Sequence, residues 1–119
     1  MKKIALIEDE AFIQDFVSGK LMEAGYTVSA CGDGEAAVQH IVEHTPDVVL
    51  LDLDLPNLSG HEILEVLQAE ETTKTIPVII FSNNDDPVLK ERVMAAGAKD
   101  FYMKAATNPA ELMAKIESV

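Results

Sequence analysis

Polar and charged side chains follow four of the five short apolar runs in this sequence. Glu8 and Asp9 follow the first run, Asp52 the third, Ser82 the fourth and Lys104 the fifth. Gathered carboxylates repel one another unless a cation lies between them, and Mg²⁺ takes a few carboxylate oxygens together with a phosphate oxygen. Asp52 would then be a carboxylate nucleophile of the aspartyl-phosphate type, while an ammonium and a hydroxyl contact the phosphoryl oxygens.

The apolar runs themselves are typical of buried parallel strands. They are short and rich in Val, Ile and Leu, and each is followed by a segment with helical features. This alternation predicts an α/β domain with a doubly wound, five-stranded parallel sheet. Because the carboxyl ends of parallel strands share one edge, the polar residues that follow them should meet in one crevice. The runs lie at residues 4–7, 27–30, 48–51, 78–81 and 101–103.

Helix boundary signals agree with this organisation. Ser59 and Glu62 have the spacing of a capping box at the start of the third helix. Gly25 and Gly97 stand where a left-handed residue ends the first and fourth helices. Two further helix starts are predicted where a capping side chain precedes a proline, at Asp86-Pro87 and Asn108-Pro109.

Composition limits the function classes. The chain has 119 residues, with 21 acidic and 9 basic side chains and a net charge of −12. This length fits a single domain over residues 1–119, and no output domain is expected in the chain. The charge disfavours direct binding to nucleic acid or to an anionic membrane. With one cysteine, Cys31, and no apolar stretch long enough to span a membrane, a cytoplasmic protein is expected.

Each candidate residue taken alone also has a structural interpretation. A single Asp after a strand is usually a helix cap or turn residue, and Ser82 alone would be a cap. Lys104 alone would be a solvated lysine. His40 and His44 are four residues apart and would share one helix face, but without a third ligand nearby they are interpreted as solvated. The joint pattern at four strand ends is what favours a site for a metal ion and a phosphate.

With these residues in place, the whole chain resembles the receiver domain of two-component response regulators. The resemblance implies a flavodoxin-like (βα)5 fold with strand order 2-1-3-4-5. It is carried by the acidic pair Glu8-Asp9, by Leu50-Leu51-Asp52 with the later Pro56 and Gly60, and by residues 76–82 and 96–104.

The resemblance also implies a role for each site residue. Asp52 would be the phosphoacceptor, and Ser82 and Lys104 would hold the phosphoryl oxygens. Phe101 would be a switch aromatic that turns inward as Ser82 moves toward the phosphoryl group. The cofactor would be Mg²⁺, and its ligands would be Asp9, Asp52, Glu8 mainly through water, and the backbone carbonyl of Asp54.

Partners follow from the same resemblance. A histidine kinase or a phosphotransfer protein of a phosphorelay would donate the phosphoryl group, and a downstream protein would recognise the switched surface. That surface would comprise the fourth helix, fifth strand and fifth helix, and a homodimer could form through it. A receiver domain promotes only its own phosphorylation and dephosphorylation, so turnover of an external substrate is not expected.

Three residues depart from the family pattern. Ala105 follows Lys104 where the family usually has proline in a cis peptide, so a trans peptide is predicted here because cis costs about 3 kcal/mol before a residue other than proline. Asn83, followed by Asn84, stands where the family has a small residue. Asp54 adds a carboxylate two residues after Asp52. These departures put the rates of phosphorylation and dephosphorylation in question.

Two other functions remain open. A degenerate receiver would bind a partner without phosphorylation, although the retained site residues argue against it. The Asp52-Leu53-Asp54 sequence also resembles the D-x-D motif of haloacid-dehalogenase-type phosphatases. That motif normally follows the first strand, and an acidic pair should follow the lysine. Here two βα units precede Asp52, which disfavours the phosphatase.

Overall fold

The computed structural model describes residues 2–104 and 108–119. A five-stranded parallel sheet in the order β2-β1-β3-β4-β5 forms its centre, which confirms the predicted fold and strand order. The strands are β1 (Lys3–Ile7), β2 (Thr27–Cys31), β3 (Val48–Leu51), β4 (Val78–Ser82) and β5 (Asp100–Met103). The helices are α1 (Ala11–Glu23), α2 (Gly34–His44), α3 (Gly60–Ala69), α4 (Pro87–Ala95) and α5 (Pro109–Ser118). Ala105, and with it the predicted trans peptide, lies outside the described residues.

The sheet separates two apolar clusters. One cluster lies against α2, α3 and α4 and includes Ile63, Leu64 and Leu67, the apolar stripe of α3. The other lies against α1 and α5 and includes Leu21 and Ile116. Because both faces of the central strands are covered, every residue of β3 and β4 is buried, which explains their near-continuous apolar sequence.

The strand register aligns the ends of neighbouring strands. Ile7 at the end of β1 is paired with Leu51 at the end of β3. The residues that follow them, Glu8 and Asp52, therefore leave the sheet side by side. At the other edge of β4, Ser82 is paired with Met103, the last residue of β5. The β1–β3 pair is also where the strand order reverses, the position at which ligands bind doubly wound sheets.

The predicted helix caps are confirmed. The Ser59 hydroxyl accepts a hydrogen bond from the Glu62 amide at 3.2 Å, and the Glu62 carboxylate accepts one from the Ser59 amide at 3.3 Å. Asp86 and Asn108 each accept backbone hydrogen bonds at the starts of α4 and α5. The capping box sets the start of α3, and so the length of the loop that joins it to β3.

None of the helices that the structure describes is long and apolar enough to cross a membrane. The helices with described bounds run from 9 to 13 residues, whereas a membrane-spanning helix needs roughly 20 apolar residues.

Candidate functional site

Three carboxylates meet at the carboxyl edge of β1 and β3. The Asp52 amide donates to the Ile7 carbonyl at 3.0 Å, so backbone pairing fixes where Asp52 leaves the sheet. One carboxylate oxygen from each of Glu8, Asp9 and Asp52 lies within 4.8 Å of the other two. Glu8 is 0% exposed and Asp52 2% exposed, whereas Asp9 faces solvent. The predicted convergence of these three residues is therefore present in the folded chain.

Lys104 joins two of these carboxylates. Its ammonium nitrogen lies 2.9 Å from Asp52 Oδ2 and 2.5 Å from Glu8 Oε1. The same nitrogen lies 5.5 Å from the centroid of the Phe81 ring, and the side chain is only 11% exposed. Lys104 can reach across because β5 and β3 both flank β4. The ammonium thus neutralises part of a buried cluster of negative charge.

The two oxygens of the Glu8 carboxylate are contacted differently. Its Oε2 accepts a hydrogen bond from the Glu10 amide at 3.0 Å. Its Oε1 is buried and has no hydrogen-bond partner among the described residues, so its charge is balanced through the ion pair with Lys104. The backbone amide of Glu10 and the Lys104 ammonium thus contact one oxygen each of this buried carboxylate.

Burial and pairing shift the pKa values of this ion pair. Burial raises the pKa of Glu8, the negative charge of Asp52 raises it further, and the contact with Lys104 offsets only part of the effect. Burial by itself would lower the pKa of Lys104, but its contacts with Glu8 and Asp52 outweigh burial and raise it. Lys104 therefore stays protonated and is the counter-charge that the two buried carboxylates require.

The loop that follows Asp52 packs directly against the backbone of that residue. The Asp54 amide donates to Asp52 Oδ1 at 3.2 Å, and the Gly60 amide donates to the Leu53 carbonyl at 3.1 Å. A Cβ atom on Gly60 would lie only 2.2 Å from the Asp52 carbonyl oxygen. This close approach accounts for glycine at position 60. The loop therefore contacts Asp52 Oδ1, whereas Lys104 contacts Oδ2.

Ser82 and Phe101 lie on the β4 and β5 side. Ser82 is fully buried, and its hydroxyl oxygen accepts a hydrogen bond from the Asn84 amide at 3.1 Å. Phe101 is 8% exposed, and the Lys90 ammonium lies 5.5 Å from the centroid of its ring. The Phe101 ring thus points inward in this structure, with a cation from α4 over it.

An open cavity of about 220 Å³ lies over the acidic cluster. Asp9, Asp52, Asp54 and Lys104 line it, together with Glu10, Ile13 and Asn83. Glu8 lies buried beneath these residues, and neither Ser82 nor Phe101 is part of the lining. The cavity is therefore predominantly acidic and reaches the Asp52 carboxylate from solvent.

Sequence reasoning missed an apolar groove beside this cavity. Phe12 is 81% exposed and Phe16 39% exposed on successive turns of α1. With Ile13, Val17 and Phe81 they line a groove of about 350 Å³, and Asn83 and Lys104 border both the groove and the acidic cavity. Two phenylalanines four residues apart, on the helix that directly follows Glu8-Asp9, are the sequence signal that could have indicated it.

The histidines lie elsewhere on the molecule. His44 is exposed, as expected, but His40 is half-buried. Its Nε2 lies 3.0 Å from the Ser29 hydroxyl, and its ring stacks on that of His44 with centroids 4.1 Å apart. The interpretation of His40 as a solvated side chain is therefore wrong, because packing between α2 and β2 covers it.

Comparison with known proteins agrees with this fold and site. The family model of the response regulator receiver domain matches residues 4–117. The phosphate regulon transcriptional regulatory protein PhoB of Klebsiella pneumoniae is 33% identical over 118 residues, which are 99% of this chain and 51% of PhoB. This chain therefore spans about half the length of the curated relatives of that kind that it matches.

Solved structures give the same result. The chemotaxis protein CheY4 of Vibrio cholerae aligns with a TM-score of 0.92 and 27% identity, over 100% of this chain and 98% of that one. The receiver domain of the sensor histidine kinase PA1611 of Pseudomonas aeruginosa aligns with a TM-score of 0.89 and 28% identity, over 98% and 95% of the two chains. Its structure has a magnesium ion in the active site cleft.

This chain belongs to the response regulator receiver domain family of two-component signalling systems. Receiver domains are phosphoacceptor signalling modules rather than enzymes that turn over an external substrate.

Proposed function

We propose that this chain is a signalling switch in which Asp52 accepts a phosphoryl group from a histidine kinase or phosphotransfer protein. The observation that supports this most strongly is the arrangement around Asp52. Its carboxylate lies at the base of a cavity open to solvent, 2.9 Å from the Lys104 ammonium, with Asp9 and Glu8 beside it. A nucleophile, a fixed positive charge and an acidic pair in one cavity are suited to phosphoryl transfer.

The donor set at this edge fits Mg²⁺. Asp9 and Asp52 would bind the ion directly, Glu8 would act mainly through water, and Asp54 would contribute its backbone carbonyl. Two observations support this assignment: three carboxylate oxygens lie within 4.8 Å of one another, and the exposed Asp9 and buried Asp52 both line the open cavity. When bound, Mg²⁺ would neutralise charge on the phosphoryl oxygens.

The residues of the chain divide the transfer step among them. An Asp52 oxygen attacks phosphorus, the bond from phosphorus to the donor atom breaks, and that atom leaves with the electron pair. Lys104 exchanges part of its contact with Asp52 for a phosphoryl oxygen. The Ser82 oxygen accepts from the Asn84 amide, and its own hydroxyl hydrogen is suited to a second phosphoryl oxygen.

Phosphorylation would be read on the face formed by α4, β5 and α5. Movement of Ser82 toward the phosphoryl group would favour the buried position of Phe101, and a downstream protein or a second copy of the chain would bind the altered face. The phosphoryl group can shift this equilibrium only by its differential stabilisation of the two states. The buried Phe101 ring corresponds to the position proposed for the switched state.

The phosphodonor would dock beside the acidic cavity. Phe12 and Phe16 expose apolar surface on α1, and the groove that they line shares Lys104 with the acidic cavity. A protein donor bound there would present its phosphohistidine to Asp52. Such signalling takes place in the cytoplasm, with the described residues acting as one receiver domain.

The decisive experiment measures phosphoryl uptake by intact mass. The wild-type protein and Asp52→Ala are incubated with Mg²⁺ and a high concentration of acetyl phosphate or phosphoramidate. We expect a single added phosphoryl group that is absent from Asp52→Ala and absent without Mg²⁺. Circular dichroism checks that the variant is folded.

The two alternatives predict different results from phosphoryl uptake and from an assay of phosphate-ester hydrolysis. A degenerate receiver takes up no phosphoryl group from either small donor or from a kinase, yet still binds its partner. A phosphatase hydrolyses a phosphate ester with many turnovers per molecule, whereas a receiver stops at one group. Either result would contradict the proposed function.

A further inference from the structure

The Tyr102 hydroxyl joins β5 to the start of α5. It donates a hydrogen bond to the Asn108 carbonyl at 2.9 Å and accepts one from the Asn108 amide at 2.6 Å. Asn108 is the N-cap of α5, and its side chain accepts hydrogen bonds from the amides of Ala110 and Glu111. Tyr102 is 3% exposed, and the two contacts use its hydroxyl both as donor and as acceptor. One buried side chain therefore attaches the start of α5 to β5.

The Tyr102 ring also belongs to a stack that reaches Lys104. It stacks on the Phe81 ring, with centroids 5.9 Å apart and an angle of 20° between the planes. The Lys104 ammonium nitrogen lies 5.5 Å from the centroid of the same Phe81 ring. All three residues and Asn108 line one narrow cavity between α1 and α5. Tyr102 therefore packs against the ring that the ammonium contacts, and its hydroxyl contacts the chain that follows the lysine.

Lys104 lies just beyond the paired part of the sheet. The pairing of β5 with β4 ends at Met103, which lies opposite Ser82. The lysine follows directly, and its ammonium is carried by a flexible four-carbon stem. Tyr102 stands two positions before Lys104, and Asn108 stands four positions after it. The hydrogen bonds between Tyr102 and Asn108 therefore limit where the lysine can lie.

The proposed transfer needs the ammonium in a fixed place. In this structure the Lys104 nitrogen contacts Asp52 and Glu8. During transfer it has to meet a phosphoryl oxygen while it loses part of its contact with Asp52. Because such stabilisation depends on a charge that is already in position, a displaced lysine would lower the rate.

We infer that Tyr102 is a positioning residue that holds Lys104 for contact with the phosphoryl group on Asp52. This inference rests on the proposed role of Asp52 as phosphoacceptor. Tyr102 is not among the described residues that line the acidic cavity. Within residues 2–104 and 108–119, its hydroxyl bonds to Asn108 and to no carboxylate of the cluster. Tyr102 therefore acts through Lys104 and not on the reacting atoms.

The test measures initial rates of phosphoryl uptake, with Mg²⁺ and phosphoramidate, for the wild type and three variants. Tyr102→Phe removes the hydroxyl alone, and Tyr102→Leu removes the aromatic ring as well. Tyr26→Phe is the matched control, because it removes the other tyrosine hydroxyl of the chain, which contacts Glu117 on α5. Tyr26 precedes β2, at the opposite edge of the sheet from the acidic cavity. Urea denaturation establishes conditions in which every protein is folded.

We expect Tyr102→Phe to take up the phosphoryl group roughly three- to tenfold more slowly than the wild type, which is the range for one lost hydrogen bond expressed as a rate. Tyr102→Leu should be slower still, because the stack with Phe81 is also lost. Tyr26→Phe should match the wild type.

Two binding measurements separate a positioning role from a general loss of stability. The affinity for Mg²⁺, measured by titration calorimetry, should be the same in the wild type and Tyr102→Phe, since Tyr102 contacts none of the proposed ligands. Beryllofluoride places fluorides where the phosphoryl oxygens would lie, so its binding to Asp52 depends on the Lys104 ammonium. Its affinity, measured with Mg²⁺ by fluorine NMR, should fall roughly three- to tenfold in Tyr102→Phe.

A double substitution tests whether Tyr102 acts through Lys104. In Lys104→Met the ammonium is already absent, so the further change Tyr102→Phe should leave the uptake rate of that protein unchanged. Both proteins are assayed at saturating Mg²⁺, and circular dichroism checks that they are folded.

Other results would overturn the inference. Equal uptake and equal beryllofluoride affinity for the wild type and Tyr102→Phe would do so. An equal loss in Tyr26→Phe would indicate general destabilisation, and a further loss in the double variant would exclude action through Lys104. Weaker Mg²⁺ binding by Tyr102→Phe would place the effect at the metal site instead. In each case the wild type still takes up a phosphoryl group, whereas no uptake by the wild type from phosphoramidate or acetyl phosphate would overturn the proposed function as well.

Discussion

The Lys104 ammonium lies 2.9 Å from Asp52 Oδ2, although 52 positions separate the two residues in sequence. The contact exists because β5 and β3 both flank β4, so the ends of all three strands lie on one edge. The same nitrogen contacts the buried Glu8 carboxylate. When no cation is bound, Lys104 therefore supplies the positive charge that balances the buried carboxylates of Glu8 and Asp52.

Replacement of Lys104 by Met should destabilise the metal-free protein. Glu8 and Asp52 would be buried without their counter-ion, and breaking a buried ion pair in this way costs about 3–5 kcal/mol. Urea denaturation with EDTA measures the loss, and added Mg²⁺ should recover part of it. An unchanged free energy of unfolding for Lys104→Met would show that the ion pair is not what stabilises the cluster.

Replacement by alanine should change the stability of the protein in opposite directions at two glycines. A Cβ on Gly60 would lie 2.2 Å from the Asp52 carbonyl oxygen, so Gly60→Ala must displace the loop and should cost roughly 2 kcal/mol or more. Gly19 lies inside α1, and no neighbouring side chain or loop lies within 4 Å of the position that a Cβ atom would occupy. Gly19→Ala should stabilise the protein by about 0.5–1 kcal/mol, because alanine is the better helix former.

The glycine prediction is checked by thermal and urea denaturation of both variants. Gly60→Ala should also reduce phosphoryl uptake, since the loop that it displaces donates to Asp52. A Gly60→Ala protein as stable as the wild type would show that the close approach relaxes without cost.

Lys90 should help to hold Phe101 in its buried position. Its ammonium lies 5.5 Å from the centroid of the ring, and a cation over an aromatic face contributes about 0.5–1 kcal/mol at an exposed site. Lys90→Ala should lose about this amount of stability. Lys90→Met keeps an apolar side chain over the ring and should lose less.

The orientation of Phe101 provides an independent measurement. In the Lys90 variants, aromatic NMR resonances of Phe101 should shift toward those of a more exposed ring. Arg92→Ala, on the same helix, is the matched control and should leave these resonances unchanged. Unshifted Phe101 resonances in Lys90→Ala would contradict a positioning role for Lys90.

The half-buried His40 should make stability depend on pH. Burial lowers its pKa from the ordinary value of 6.5, and the neighbouring His44 lowers it further when charged. Because the folded-state pKa is the lower one, the unfolded chain binds the proton more readily. The contribution of neutral His40 to the free energy of unfolding should therefore be fully present above about pH 6.5. It should decline as the pH falls toward the folded-state pKa of His40.

The measurement compares urea midpoints of the wild type and His40→Gln from about pH 7 to about pH 5. The wild type should lose more stability over this range than the variant. In His44→Gln the loss should be reduced, because the repulsion between the two rings is gone. Parallel pH profiles for the wild type and His40→Gln would exclude His40 as the source.

Much of this molecule could be predicted from local sequence patterns. The caps at Ser59, Asp86 and Asn108 depend on residues a few positions away, so their short-range spacing was sufficient to identify them. The five strands followed from their apolar runs. Parallel strands then required Asp9 and Asp52 to meet at one edge, and the structure has them there.

Other features were decided only by the tertiary structure. Lys104 contacts both Glu8 and Asp52, the Ser82 hydroxyl accepts from a nearby amide, and Phe101 points inward beneath Lys90. Side-chain orientation and burial depend on neighbours contributed by distant segments, and no sequence spacing encodes those neighbours. The sequence by itself therefore determined which groups meet at the edge of the sheet, whereas packing between the elements determined which are buried, paired or exposed there.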